Sequence, residues 1–269
     1  MNGSGNNLFD QALYCLSICD PMEKVFHTKK LFNQWQNQQL DYKYSHDPVS
    51  IVAPGKPDKP DLVDPRKVPR RGFNSELGRI RLVHAIAHIE FNAINLALDA
   101  VYRFREMPEQ YYSDWLRVAA EEANHFTLLN SYLGSKGAAY GDYAAHNGLW
   151  EMAIKTDHDV LVRMALVPRV LEARGLDVTP GMIQKLELVG DTDLVEILNI
   201  IHQEEIGHVK IGSHWFNFIC DQRHLSSDET FSLLLDEYMK DAVFGVFDAD
   251  VRMQAGFSKG ELSYLESRG

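Results

Sequence analysis

Cys15, Cys19 and Cys220 are the only cysteines in 269 residues, an odd number with neither a disulfide framework nor a zinc spacing. That scarcity fits a reducing, cytoplasmic compartment, where free thiols behave as small buried residues rather than as ligands. Positive charge is also short, since 27 Lys and Arg face 38 Asp and Glu for a formal net charge of −11. Nucleic acid is therefore not expected as a general partner, because that role normally needs a basic excess. No apolar run reaches the roughly 20 residues that span a bilayer, so no membrane partner is expected either. The first twenty residues lack a basic start and carry Asp10 and Gln11 inside their apolar part, so they do not read as a secretion signal. Glycine-rich phosphate loops, nucleophile elbows and low-complexity tracts are all missing.

Proline is scarce outside one stretch. Pro48, Pro54, Pro57, Pro60, Pro65 and Pro69 crowd the segment from Asp41 to Asn74 and prevent regular helix or central strand there. An extended strap is expected. Within it and at its exit, Lys56, Lys59, Arg66, Lys67, Arg70, Arg71, Arg79 and Arg81 outnumber Asp58, Asp61, Asp64 and Glu76. These charges are expected to pair with an acidic protein surface, and the segment is also the best candidate for contact with a polyanion.

What the chain does contain is a motif that occurs twice. Glu121-Glu122-Ala123-Asn124-His125 returns as Glu204-Glu205-Ile206-Gly207-His208. Residues three apart share one helix face, so Glu122 projects beside His125 and Glu205 beside His208. Both pairs interrupt apolar stripes: Trp115, Val118, Ala119, Phe126 and Leu129 in the first copy, and Leu198, Ile201, Val209, Gly212 and Trp215 in the second. An ionised carboxylate away from water is costly unless it is paired or bound to a metal. Two further stripes carry one carboxylate each, Glu90 among Val83, Ile86, Ala87, Ile94 and Ala97, and Glu172 after Leu161, Ala165 and Pro168. The intervals match: 172−90 is 82 and 205−122 is 83, while 122−90 is 32 and 205−172 is 33. One Glu from each of two helices and a Glu-x-x-His from each of two others make the di-iron or di-manganese carboxylate arrangement of a four-helix bundle.

The predicted elements serve that reading. Two N-terminal helices, near Phe9 to Ile18 and from Met22 to about Leu40, precede the strap, the second with Asp20 as cap and Pro21 at its first position. The bundle helices are expected from Ser75 to about Arg105, from Ser113 to about Gly134, from Thr156 to Arg174 with a kink at Pro168, and from Asp191 to about Asp221. Gly175 is expected to stop the third, and Thr179-Pro180 to start a short helix of its own. The irregular stretch from Gly137 to Gly148 supplies a long crossover of the ferritin-like kind. Two more helices follow, from Ser227 to about Lys240 and from Ser258, whose Glu261 completes a capping box. The fold class is all-α: residues 1–74 as N-terminal helices and strap, 75–222 as a ferritin-like four-helix bundle, and 223–269 as a C-terminal extension, in one compact domain.

In that reading Glu90, Glu122, His125, Glu172, Glu205 and His208 hold two metal ions. Glu122 and Glu205 bridge, Glu90 and Glu172 are terminal, and each histidine holds one ion. Glu121 and Glu204 lie one helical turn from the histidines and are less favoured by the stripes. His84, His88, His202 and His214 are expected to support the site or lie on the surface. Tyr102, Tyr140 and Tyr143 are expected to pack rather than to carry redox chemistry. Mixed carboxylate and imidazole ligands suit iron, the expected metal, and manganese accepts the same set.

Beyond the metal motif, His84-Ala-Ile-Ala-His88-Ile-Glu90, the run from Asp114 to Glu122, His146-Asn-Gly-Leu-Trp150, Leu171-Glu-Ala-Arg-Gly-Leu-Asp177 and His208-Val-Lys-Ile-Gly resemble a bacterial ferritin-like family. That family is catalogued as domain of unknown function 455. The resemblance covers nearly the whole chain and implies a ferritin-like fold with two ions at the six residues above, without implying a substrate. A more distant similarity to the di-iron tRNA hydroxylase rests on the ligand pattern alone. The leading expectation is an oxidase or monooxygenase that activates dioxygen, with a small-molecule substrate. Its rivals are metal binding or iron storage without organic turnover, a tRNA-hydroxylase-like enzyme, and a helical interaction protein whose site is a vestige. No residue pattern marks an electron donor or an oligomeric state, and no catalytic side chain is assigned.

Overall fold

Helix starts are fixed by side chains that accept the orphan backbone N–H groups, each such cap contributing about 1 kcal/mol. Asp20 accepts from Glu23 N at 2.9 Å, Ser75 Oγ from Gly78 N at 3.1 Å, and Ser258 forms a complete capping box with Glu261. The computed structural model describes residues 6–44, 47–240 and 245–269. Every regular element among them is helical, and the only extended pairings among the described residues are two isolated bridges, Asn7 with Asp41 and Leu62 with Ala145. The fold is all-α, as the sequence predicts. No helix among the described residues is long and apolar enough to cross a membrane. The chain forms two compact units, Met1–Ile154 and Lys155–Gly269.

The first unit holds α1 (Leu8–Ser17), α2 (Pro21–Gln36), α3 (Glu76–Arg103) and α4 (Glu109–Ser135). From Leu82 onward almost every residue of α3 is buried, including Val83, Ile94, Leu98 and Val101, so α3 is the central helix of this unit. Complete burial of one such side chain contributes about 1.5–3 kcal/mol. Residues 104–108 return the chain so that α4 packs along α3. The α4 helix begins at Glu109 and not at the predicted Ser113, because Pro108 supplies a pre-set turn at its N-cap. Ser113 Oγ instead bonds back to Glu109 O and accepts from the indole N–H of Trp35 on α2.

The described residues of the strap are irregular, as its prolines require, with one 3-10 turn among them at Pro65–Lys67. Val49 N donates to the Tyr102 hydroxyl, Trp150 Nε1 donates to Val52 O, and Val63 N donates to Ala145 O. Of its basic residues, Lys59 pairs with Asp61, Arg79 donates to Phe73 O, and Arg81 lies over the Tyr143 ring. Arg66, Lys67, Arg70 and Arg71 are exposed. α5 (Gly148–Lys155) follows residues 137–147, in a place where the sequence predicts no helix.

The second unit holds α6 (Val160–Leu166), a π-turn (Val167–Glu172), α7 (Ala173–Leu188), α8 (Thr192–Gln222), α9 (Ser227–Tyr238), α10 (Ala249–Gln254) and α11 (Lys259–Ser267). The kink predicted at Pro168 takes the form of that π-turn. Gly175 does not stop the helix, and Thr179-Pro180 starts none, since α7 runs through both with Pro180 inside it. Burial of Ala173, Leu176 and Leu186 outweighs the local cost of one glycine and one proline. Residues 189–191 join α7 to α8 tightly, with Gly190 in the left-handed region at φ +72. Gly212 of α8 meets the Pro168 ring so closely that an added Cβ would collide with it.

Candidate metal centre

In the first unit the loop between α3 and α4 sets the register of the acids. Glu90 lies 13 residues before Arg103, where α3 ends, and Glu122 lies 13 after Glu109, where α4 begins. Two helices running back on each other therefore carry both carboxylates to the same level. His125 Nδ1 stands 3.1 Å from Glu90 Oε2 and 3.2 Å from Glu122 Oε2. One ligand atom from each of these three residues lies within 4.8 Å of the others. Glu122 and His125 are 0% exposed and Glu90 is 4% exposed, which puts the group out of reach of bulk water.

Burial, and then the charge of Glu122, raises the Glu90 carboxyl well above its ordinary 4.5. Burial alone would keep the His125 ring neutral, but its hydrogen bonds to Glu122 and Glu90, with their charges, push it up to about 11. Both shifts have one meaning. Two buried acids with an imidazole are stable only with positive charge among them, and a divalent cation can take the place of the proton on Nδ1. The donor set of two carboxylates and one imidazole fits iron or manganese.

The second unit presents its three residues differently. His208 Nδ1 faces Glu205 Oε1 at 3.6 Å one turn earlier on α8, the same atom facing the same neighbour as in the first copy. Glu172 closes the π-turn and is half-buried. It lies 18 residues before Gly190, and His208 lies 18 after it. Pro168 and Gly212, which touch, are each 22 residues from the same glycine. That contact, one turn from each, brings the π-turn onto the face of α8 that carries His208. Among the described residues the second unit by itself draws no three ligand-type side chains together as the first does.

The neighbouring acids separate as the stripes require, with Glu121 half-buried where Glu122 is fully buried. Glu204 and Glu205 are both half-buried, and Glu205 is the one that faces His208. His84 and His88 are buried ties and not surface residues. His84 Nε2 accepts from Gly141 N at 2.9 Å. A carbonyl can only accept, so His88 donates from Nε2 to His146 O at 3.1 Å and accepts the Tyr140 hydroxyl at Nδ1, 2.9 Å away. Burial pushes both rings down to about 4, so each is neutral at pH 7. Tyr140 also packs on Phe91 and Phe126, the residues that follow Glu90 and His125. The stretch from Gly137 to Gly148 is thus tied to the part of α3 that carries Glu90. His202 is half-buried and His214 is exposed against Trp215. Cys15 and Cys220 are buried as expected, whereas Cys19 is exposed.

Sequence reasoning passed over Lys24 and Arg169, two cations that are 0% exposed. Lys24 Nζ donates to Cys15 O, Leu16 O and Asn95 Oδ1, which closes the carbonyl end of α1 against α3. The signal for Arg169 was its place next to Pro168 in an otherwise apolar run.

A family described as "Protein of unknown function (DUF455)" matches residues 17–263. A relative from Haemophilus influenzae, described as an uncharacterized protein, is 50% identical over 216 residues, covering 78% of this chain and 75% of the relative. No solved structure matches.

Proposed function

The chain belongs to the DUF455 family, and from that premise we propose that it is a ferritin-like di-metal carboxylate protein in which Glu90, Glu122, His125, Glu172, Glu205 and His208 hold two iron ions. Its activity is proposed to be the dioxygen-dependent oxidation of a small molecule. The observation that carries the reading is the buried convergence of Glu90 and Glu122 on His125 Nδ1. The like pairing of Glu205 with His208 Nδ1 supports it, and so does the matched spacing of the two sets in sequence. A Glu from each of two helices with a Glu-x-x-His from each of two others defines such a centre in a ferritin-like bundle.

Within this reading the residues divide the work. Glu122 and His125, one turn apart, offer both their donors from one rigid helix, and so do Glu205 and His208. Glu90 neutralises charge from the facing helix. Four glutamates balance the four positive charges of two divalent ions while neutral imidazoles complete the sets. The buried surroundings keep bulk water from the reacting atoms. Iron held there would supply the redox chemistry, passing to dioxygen the electrons that the oxidised substrate gives up.

The test is to load the protein with ferrous iron without air and then admit oxygen. Ferric absorption should develop, with oxygen consumed in proportion to sites. X-ray absorption should detect a second metal within about 4 Å of the first. Iron that stays ferrous for hours in air would reject the oxidase and leave metal binding alone. Isolated ions would reject the shared centre.

A further inference from the structure

Arg169 stands in the middle of the π-turn and is completely buried. Its guanidinium lies 4.5 Å from the ring centres of Phe216, Phe231 and Phe257. Nε donates to Ser213 Oγ at 3.2 Å, and Nη2 donates to Glu261 Oε2 at 2.5 Å. That same carboxylate oxygen accepts from Ser258 N at 2.9 Å, so the capping box that starts α11 and the ion pair share one atom. Glu261 itself is 2% exposed.

Gluing α11 to the rest of the unit would not require this arrangement, because apolar residues can replace a buried ion pair without loss of stability. What the ion pair adds is direction. A planar guanidinium held between rings and a carboxylate has one orientation, whereas an apolar contact tolerates sliding. Here the direction is imposed on a non-α stretch, the kind of irregularity that often marks a functional site. Glu172 follows Arg169 by three residues and ends the same turn. Next to Arg169, Pro168 is pressed against Gly212, four residues after His208.

We infer that Arg169, held by Glu261 of α11, is a positioning residue that fixes the π-turn and thereby the direction of the Glu172 carboxylate. This rests on Glu172 being a metal ligand, as proposed above. The C-terminal helix then becomes a condition for full metal loading, although it supplies no ligand.

The test uses the full chain with Glu261→Gln, which keeps the shape and removes the charge. Because that change leaves a buried cation, the double variant R169M/E261M, which removes both charges together, accompanies it. Amide hydrogen exchange on metal-free protein should be at least about tenfold faster at residues 169–172 in both variants, with α8 unchanged. Anaerobic equilibrium dialysis against manganese(II) should give two ions per wild-type chain, with the affinity for one of them lowered about tenfold or more in the variants. If Glu261→Gln fails to fold, the double variant decides. Wild-type exchange rates at 169–172 would overturn the clamp, and faster exchange with both ions held as tightly as in wild type would overturn its effect on Glu172. A wild-type chain that binds no manganese or iron would instead overturn the metal reading, and the exchange measurement would still decide the clamp.

Discussion

His125 Nδ1 lies 3.2 Å from Glu122 Oε2, one turn earlier on α4, and His208 repeats that geometry against Glu205 on α8 at 3.6 Å. Two copies of a pair that is costly to bury argue for a common purpose. Glu122→Ala or Glu205→Ala should lower bound metal from about two ions per chain toward one or none on the four-helix arrangement. Glu121→Ala and Glu204→Ala should do much less, since neither carboxylate is the one aligned with its histidine. Elemental analysis of the four purified variants decides the matter, and undiminished metal in both Glu122→Ala and Glu205→Ala would refute the assignment.

Much of the candidate site was legible because a buried carboxylate must interrupt an apolar stripe, and stripes survive in sequence. Glu90 and Glu122 stood out for that reason, and burial separates Glu122 from Glu121 as the pattern did. Caps at Asp20, Ser75 and Ser258 were equally plain, because the side chain that accepts a backbone N–H is local. The course of the chain from Thr156 to Leu188 was not. Whether Gly175 and Pro180 end a helix depends on how firmly Leu176 and Leu186 are packed, which is a property of distant residues. The role of Arg169 was hidden likewise, since its partner Glu261 lies 92 residues away.

Lys24 provides a test through pH. In the unfolded chain its ammonium keeps the proton to about 10.5, whereas burial lowers it to about 7 in the folded protein. Below pH 7 both states carry the charge, and the cost of burying it is constant. Between 7 and 10.5 the folded state alone sheds the proton, so that cost is progressively relieved and Lys24 makes stability rise with pH. The unfolding free energy of wild type minus that of Lys24→Met should grow over this window, at about 1.4 kcal/mol for each pH unit and by at most about 5 kcal/mol. Denaturant titrations at pH 7, 8.5 and 10 measure it. A difference that stays flat would mean that the three acceptors around Nζ hold the ammonium charged.

Removing metal should weaken the fold, and the sign of its pH dependence separates a metal site from a set of salt bridges. An ion that binds only the folded chain stabilises it by about 2.7 kcal/mol when free metal is a hundredfold above its dissociation constant. At pH 7 the chelated protein should therefore melt below the loaded one. Protons compete with metal for carboxylate and imidazole ligands, so acidification weakens the loaded form through its ligands, whereas the metal-free form has no ion to lose. The gap between the two melting temperatures should be widest near pH 8 and should close toward pH 5. Salt bridges alone would give coincident curves with and without chelator at every pH, and that result would remove the reason for burying Glu90, Glu122 and His125 together.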